Sequence, residues 1–144
     1  MSSSAAVEVG FAALWRSLGG WALNNLMLAQ LSQQAENQYV GVNCGLMDQF
    51  ASANGVEGHG LLFDTRSLDF RPLPLPGGTV IVIADSGVRR RLVGSAYNDR
   101  RAACEQAVAL LKKELPGIRA LRDVSRDDFN RLADHLPPIV ARRA

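Results

Sequence analysis

The sequence has no apolar run near the roughly 18 residues that a membrane-spanning helix needs. Alanine, glycine, asparagine and glutamine interrupt every candidate stretch. It has no excess of either charge: 16 Lys and Arg stand against 14 Asp and Glu, a formal net charge of +2. That balance excludes a polyanion or membrane-surface binder, so no nucleic-acid and no membrane partner is expected. Cysteine is scarce. Cys44 and Cys104 lie far apart and form no metal-ligand spacing, which excludes a disulfide framework and a thiolate metal knuckle. The N-terminus lacks the basic segment and continuous apolar stretch of a secretory signal. Two reduced thiols in a cytoplasmic chain are the plain expectation. Internal repeats and low-complexity segments are absent.

What is there is ordinary for a globular domain: 144 residues, 47% hydrophobic and 21% charged, enough for one core. The ends are less ordinary. Met1 is followed at once by Ser2-Ser3-Ser4-Ala5-Ala6 and a helical pattern, and residues 139–144 stop inside another. The expectation is a segment cut from a longer domain at both ends.

Val7, Phe11, Leu14, Trp15 and Leu18 share one face at helical spacing, with Ser2 to Ser4 where N-caps belong and Gly19-Gly20 as the stop. Phe11 and Trp15 are expected in the core. A second helix is expected from about Trp21 to Glu36, with Leu23, Leu26, Met27 and Leu31 on its apolar stripe. Residues 37–43 read as a loop. A short helix then carries Asp48 in its first turn and stops near Gly55. Residues 59–64 and 68–73 read as strands joined by a hairpin connection at Asp64-Thr65-Arg66-Ser67, with Pro72 and Pro74 confining the second to an edge. Pro76-Gly77-Gly78 is a turn. Thr79 to Ala84 is continuously apolar, as in a central strand buried on both faces. After a basic loop, a helix is expected from about Ser95 to Leu115, striped by Cys104, Ala107, Val108, Leu111 and Leu115. Ser125 to Asp128 resembles a capping box for a last full helix carrying Phe129, Leu132, Ala133 and Leu136. Strands and helices mix without strict alternation. The fold class expected is α/β with α+β layering, a mixed sheet packed by helices.

Several residues carry possible chemistry. Serines at a helix N-terminus sit where backbone N–H groups and the dipole favour a phosphate, and a hydroxyl can ligate Mg²⁺; the same run also serves as a simple cap. Glu36 suits a metal ion or is a plain helix-end acid. Asp48 complements the helix dipole and, taken alone, is no more than a favourable charge. Arg89, in Arg89-Arg90-Arg91, can reach a phosphate or be a solvated loop charge. Tyr97 can face a sugar or pack half-buried.

In order along the chain, Ser2-Ser3-Ser4-Ala5-Ala6-Val7-Glu8-Val9, Ala35-Glu36-Asn37-Gln38-Tyr39-Val40-Gly41, Cys44-Gly45-Leu46-Met47-Asp48-Gln49, His59-Gly60-Leu61-Leu62-Phe63-Asp64 and Ser95-Ala96-Tyr97-Asn98-Asp99-Arg100-Arg101 resemble the galactokinase family of GHMP small-molecule kinases. The resemblance implies ATP-dependent, Mg²⁺-assisted phosphorylation of galactose at its anomeric hydroxyl. It implies that Asp48 is the catalytic aspartate, with Arg89 near the phosphates, and that Gly45 and Tyr97 face the sugar. By the same resemblance Ser2, Ser3 and Ser4 are the tail of the phosphate loop, with Ser4 and Glu36 as metal ligands. The chain departs from the family at Asp85-Ser86-Gly87, where Asn-Ser-Asn is usual, and at Ala96, often Glu. The family's N-terminal sugar signature, its adenine-side elements, the glycines opening its phosphate loop and its C-terminal glycine-rich motif are missing. Little or no activity is therefore expected of these residues alone, and self-association through cut surfaces is expected. A kinase for N-acetylgalactosamine or another sugar, and a non-catalytic galactose- and ATP-binding regulator, are the other readings.

Overall fold

The computed structural model describes residues 2–85, 87 and 96–144. The chain divides into two compact units, Met1–Arg89 and Arg90–Ala144.

The first unit opens with α1 (Ser3–Gly19), which ends at Gly20. That glycine takes φ 65°, and its N–H closes onto Arg16 O. A left-handed closure of this kind is cheap only without a Cβ. Helix α2 (Asn25–Ala35) begins later than its apolar pattern suggests, because Asn24 caps it: its side chain accepts from Met27 N at 2.8 Å. Residues 37–40, expected as loop, instead form with Glu36 a wide π turn (Glu36–Val40), closed by Gly41 at φ 77° with its N–H on Glu36 O. Helix α3 (Met47–Asn54) follows, carrying Asp48 in its first turn and stopping at Gly55. The three helices pack on one another.

Strands β1 (His59–Phe63) and β2 (Phe70–Pro74) pair antiparallel, with Leu61 opposite Pro72 and Phe63 opposite Phe70. Asp64 Oδ1 builds the connection, accepting from Arg66 N and Ser67 N. The hairpin lies over α2 and α3: Ala29, Leu46 and Phe50 are buried, with Leu61, Phe63 and Leu68 against them. Phe50 stacks on Phe63 with ring centroids 3.8 Å apart and meets Phe70 edge-on.

Four expectations fail here. Among the described residues the sheet is this two-stranded hairpin and not a mixed sheet. Residues 79–84 form no strand, and Val80 and Val82 are more than four-fifths exposed. With no neighbouring strand among the described residues, their backbone has no ladder to join. Phe11 and Trp15 are not core: they touch each other but stand 54% and 59% exposed. The face of α1 that α3 and α2 cover is the one carrying Ala5 and Val9. On α2 the buried residues are Leu28, Ala29 and Ser32, while Met27 and Leu31 of the expected stripe are exposed.

In the second unit α4 (Ala96–Leu111) lays Ala103, Ala107 and Leu111 against Ile118, Leu132, Leu136 and Val140. Helix α5 (Arg126–Leu132) is capped as its sequence suggests, Ser125 accepting from Asp128 N and donating to Asp128 Oδ2. A short α6 (Pro138–Ala141) supplies Val140.

Candidate functional site

The polar heart of the first unit is Glu36. It is a charged residue only 4% exposed, so its carboxylate must be hydrogen-bonded to be tolerated. Its position follows from local structure. Helix α2 delivers it at its last turn, and the π turn sealed by Gly41 holds its backbone. Such single wide turns interrupt helices frequently at functional sites.

Three elements converge on this carboxylate. From the start of α1, Ser4 Oγ donates to Oε1 at 3.1 Å. From the first turn of α3, Gln49 Nε2 donates to Oε2 at 2.6 Å. From the segment between the π turn and α3, Cys44 Sγ approaches Oε2 at 3.3 Å and Asn37 Oδ1 at 3.2 Å. Gln33 Nε2 ties that segment down through Cys44 O. Gln49 Nε2 also reaches Glu8 Oε2 at 3.3 Å, one turn along α1 from Ser4.

The electrostatics follow from burial and from two acids in one place. Burial pushes the Glu8 carboxyl above its ordinary range; the Gln49 hydrogen bond opposes this and the Glu36 charge adds to it. The Cys44 thiol is pushed up to about 11, by burial first and then by its hydrogen bond to Glu36 and that residue's charge. Cys44 is therefore a neutral donor here and not a nucleophile.

The expected serine cap is not formed. Ser2 occupies the cap position at φ 45° and makes no side-chain cap bond, and the Ser4 hydroxyl is engaged by Glu36. The structure thus joins two of the singled-out residues, Ser4 and Glu36, across 32 positions of sequence. A hydroxyl and a carboxylate are hard oxygen donors of the kind Mg²⁺ takes, sparingly, beside phosphate oxygens and water. Among the described residues no group of three or more His, Cys, Asp and Glu is arranged for a metal, so protein ligands alone make no cage.

Asp48 is half-buried, one residue before Gln49 and so about 100° around α3. No hydrogen bond or ion pair among the described residues uses its carboxylate. Gly45 is exposed, and a Cβ there would meet nothing within 4 Å. Tyr97 lies in the second unit, in the first turn of α4, 45% exposed. Arg89 lies outside the described residues. Gln49, Glu8 and Cys44 are cluster members that sequence reasoning did not single out. Ser4 and Glu8 stand four apart on α1, the spacing that puts two side chains on one helix face, and that was the available signal.

Residues 1–56 match the family of GHMP kinase N-terminal domains. The chain is 49% identical over 138 residues to a galactokinase of Chloroflexus aggregans, covering 96% of this chain and 35% of that protein. It is 45% identical over all 144 residues to a galactokinase of a Roseiflexus species, covering 37% of it. A crystal structure of Lactococcus lactis galactokinase complexed with galactose superimposes with a TM-score of 0.84 at 28% identity, over 98% of this chain and 37% of that one. The chain spans about a third of the length of the curated relatives it matches. No helix among the described residues is long and apolar enough to cross a membrane. By sequence and fold these residues are similar to about a third of the galactokinases they match, and residues 1–56 carry the match to the GHMP kinase N-terminal domains.

Proposed function

We propose that these residues form one side of the phosphoryl-transfer site of a galactokinase that moves the γ-phosphoryl of ATP to the anomeric hydroxyl of galactose. The observation that carries the reading is the 3.1 Å contact of Ser4 Oγ with Glu36 Oε1, made at the start of a 17-residue helix with no side-chain cap. Uncapped N–H groups at Ser2, Ser3 and Ser4, with the helix dipole behind them, favour the ATP phosphates. Ser4 and Glu36 would hold Mg²⁺, which neutralises charge developing on the phosphates. Asp48, its carboxylate uncommitted, takes the proton of the attacking hydroxyl or stabilises its ionised form. Gly45 leaves bare backbone for the sugar; by family resemblance alone, Tyr97 is assigned a sugar contact and Arg89 a phosphate contact. Two free thiols suit a cytoplasmic location.

The test is a chimera in which residues 1–144 replace the matching third of the Chloroflexus aggregans galactokinase. Galactose-dependent ADP release is expected from the chimera and not from the 144 residues alone. It should fall by at least about a hundredfold in Asp48→Ala, as loss of a positioned acid–base group does. A chimera whose turnover survives Asp48→Ala refutes the assignment.

A further inference from the structure

Gln49 has no part in the reading above, yet it links Glu8, Cys44 and Glu36. It is 1% exposed. Its Nε2 lies 2.6 Å from Glu36 Oε2, 3.3 Å from Glu8 Oε2 and 3.8 Å from Cys44 Sγ. The amide turns its N–H group to both carboxyls: turned over, it would set its carbonyl oxygen against two carboxyl oxygens. This orientation leaves Gln49 Oε1 buried without a hydrogen-bond partner.

The consequence falls on Glu36. Its two oxygens are partitioned. Oε2 takes Gln49 and Cys44, while Oε1 takes the Ser4 hydroxyl. A carboxylate with one oxygen held at 2.6 Å does not turn freely about its terminal bond, so Oε1 stays toward Ser4. An amide does this without cancelling the charge of Glu36, whereas a Lys or Arg in its place would neutralise the group meant to attract a cation.

We propose that Gln49 is the positioning residue of the cation site: by pinning Oε2 of Glu36 it holds Oε1 beside the Ser4 hydroxyl for a hydrated divalent cation. The proposal rests on the reading of Ser4 and Glu36 as cation ligands. Glu8, bound to the same amide, anchors Gln49 to α1 so that the clamp spans α1, the π turn and α3.

The test uses the 144-residue chain and Mn²⁺ as the probe, with affinity read by electron paramagnetic resonance and location by paramagnetic broadening of backbone amides. The wild type is expected to bind Mn²⁺ and to lose the Ser4 and Glu36 signals first. Glu36→Gln should abolish this. Gln49→Met, close in shape but without a donor, should weaken Mn²⁺ binding by about 10–100-fold, the usual effect of removing a group that orients a ligand, while circular dichroism shows it folded. If the wild type binds nothing at Ser4 and Glu36, the cation reading fails and this proposal with it. If Glu36→Gln abolishes binding but Gln49→Met leaves it unchanged, the role of Gln49 is overturned and the cation reading stands. Should Gln49→Met not fold, Mg²⁺ titration of the wild type decides. The Gln49 side-chain amide signals must move at the same midpoint as the Glu36 carboxyl carbon, and unmoved amide signals overturn the proposal.

Discussion

Glu36→Gln should make Cys44 reactive. In the folded chain the Cys44 thiol is raised from 9.0 to about 11, by burial first and then by the Glu36 hydrogen bond and charge. At pH 8 that leaves roughly a thousandth of the thiol ionised in place of about a tenth, so alkylation should run about a hundredfold slower than for an unperturbed thiol. Glu36→Gln keeps the shape of the side chain and can still offer a carbonyl to Gln49. It removes the charge and leaves the burial, the larger cause, so part of the suppressed rate should return. The sign for stability follows as well. A thiol whose folded value exceeds its unfolded one contributes stability that is intact below about pH 9 and lost as pH rises through about 11. The assay is iodoacetamide labelling between pH 7 and 10, with Cys44 and Cys104 separated by peptide mass. Equal Cys44 rates in wild type and Glu36→Gln would refute the electrostatic account. So would a wild-type Cys44 as fast as glutathione.

Phe50→Ala should cost about 3–5 kcal/mol, because Phe50 is 1% exposed and holds both Phe63 and Phe70. Against a typical total of about 5–15 kcal/mol, urea unfolding followed by circular dichroism should show a large share of that stability lost, and a change under about 1 kcal/mol would contradict the packing described. The chain should self-associate through Phe11, Leu14, Trp15, Leu18 and Trp21, all about half or more exposed. Light scattering should find oligomers, and tryptophan emission should shift to the blue as concentration rises; a monomer with unchanged emission across that range would show the surface is tolerated as it stands.

Where a segment's structure depends on its own residues, the sequence is a good guide. Gly20 ends α1, Ser125 caps α5, and Asp64 turns the hairpin, each through bonds a few residues long. Asn24 and Gly41 are of the same kind, and their chemistry can be read once the cap and the left-handed closure are looked for. The failures are of another kind. The alternation of apolar residues on α1 marks a face that prefers burial, and the run from Thr79 to Ala84 marks a backbone suited to a sheet. Neither pattern says what lies opposite: Phe11 and Trp15 share an open groove with Trp21, Leu23 and Leu31, and no strand among the described residues pairs with 79–84.

The site divides along the same line. Ser4 and Glu36 are each plausible alone for chemistry and for nothing, a capping serine and a helix-end acid. What brings them together is a contact spanning 32 residues, and no local pattern encodes it. Burial sharpens this. A solvated helix-end acid has no need of partners, but a carboxylate 4% exposed does, and Glu36 gathers donors from α1, α3 and the segment between the π turn and α3. A purely structural carboxylate is best served by saturating both oxygens with fixed donors. Here Oε2 takes an amide and a thiol, while Oε1 has a single rotatable hydroxyl. That asymmetry, one oxygen held by fixed donors and one by a rotatable hydroxyl, is why the proposed role of Glu36 depends on Gln49 as well as on Ser4.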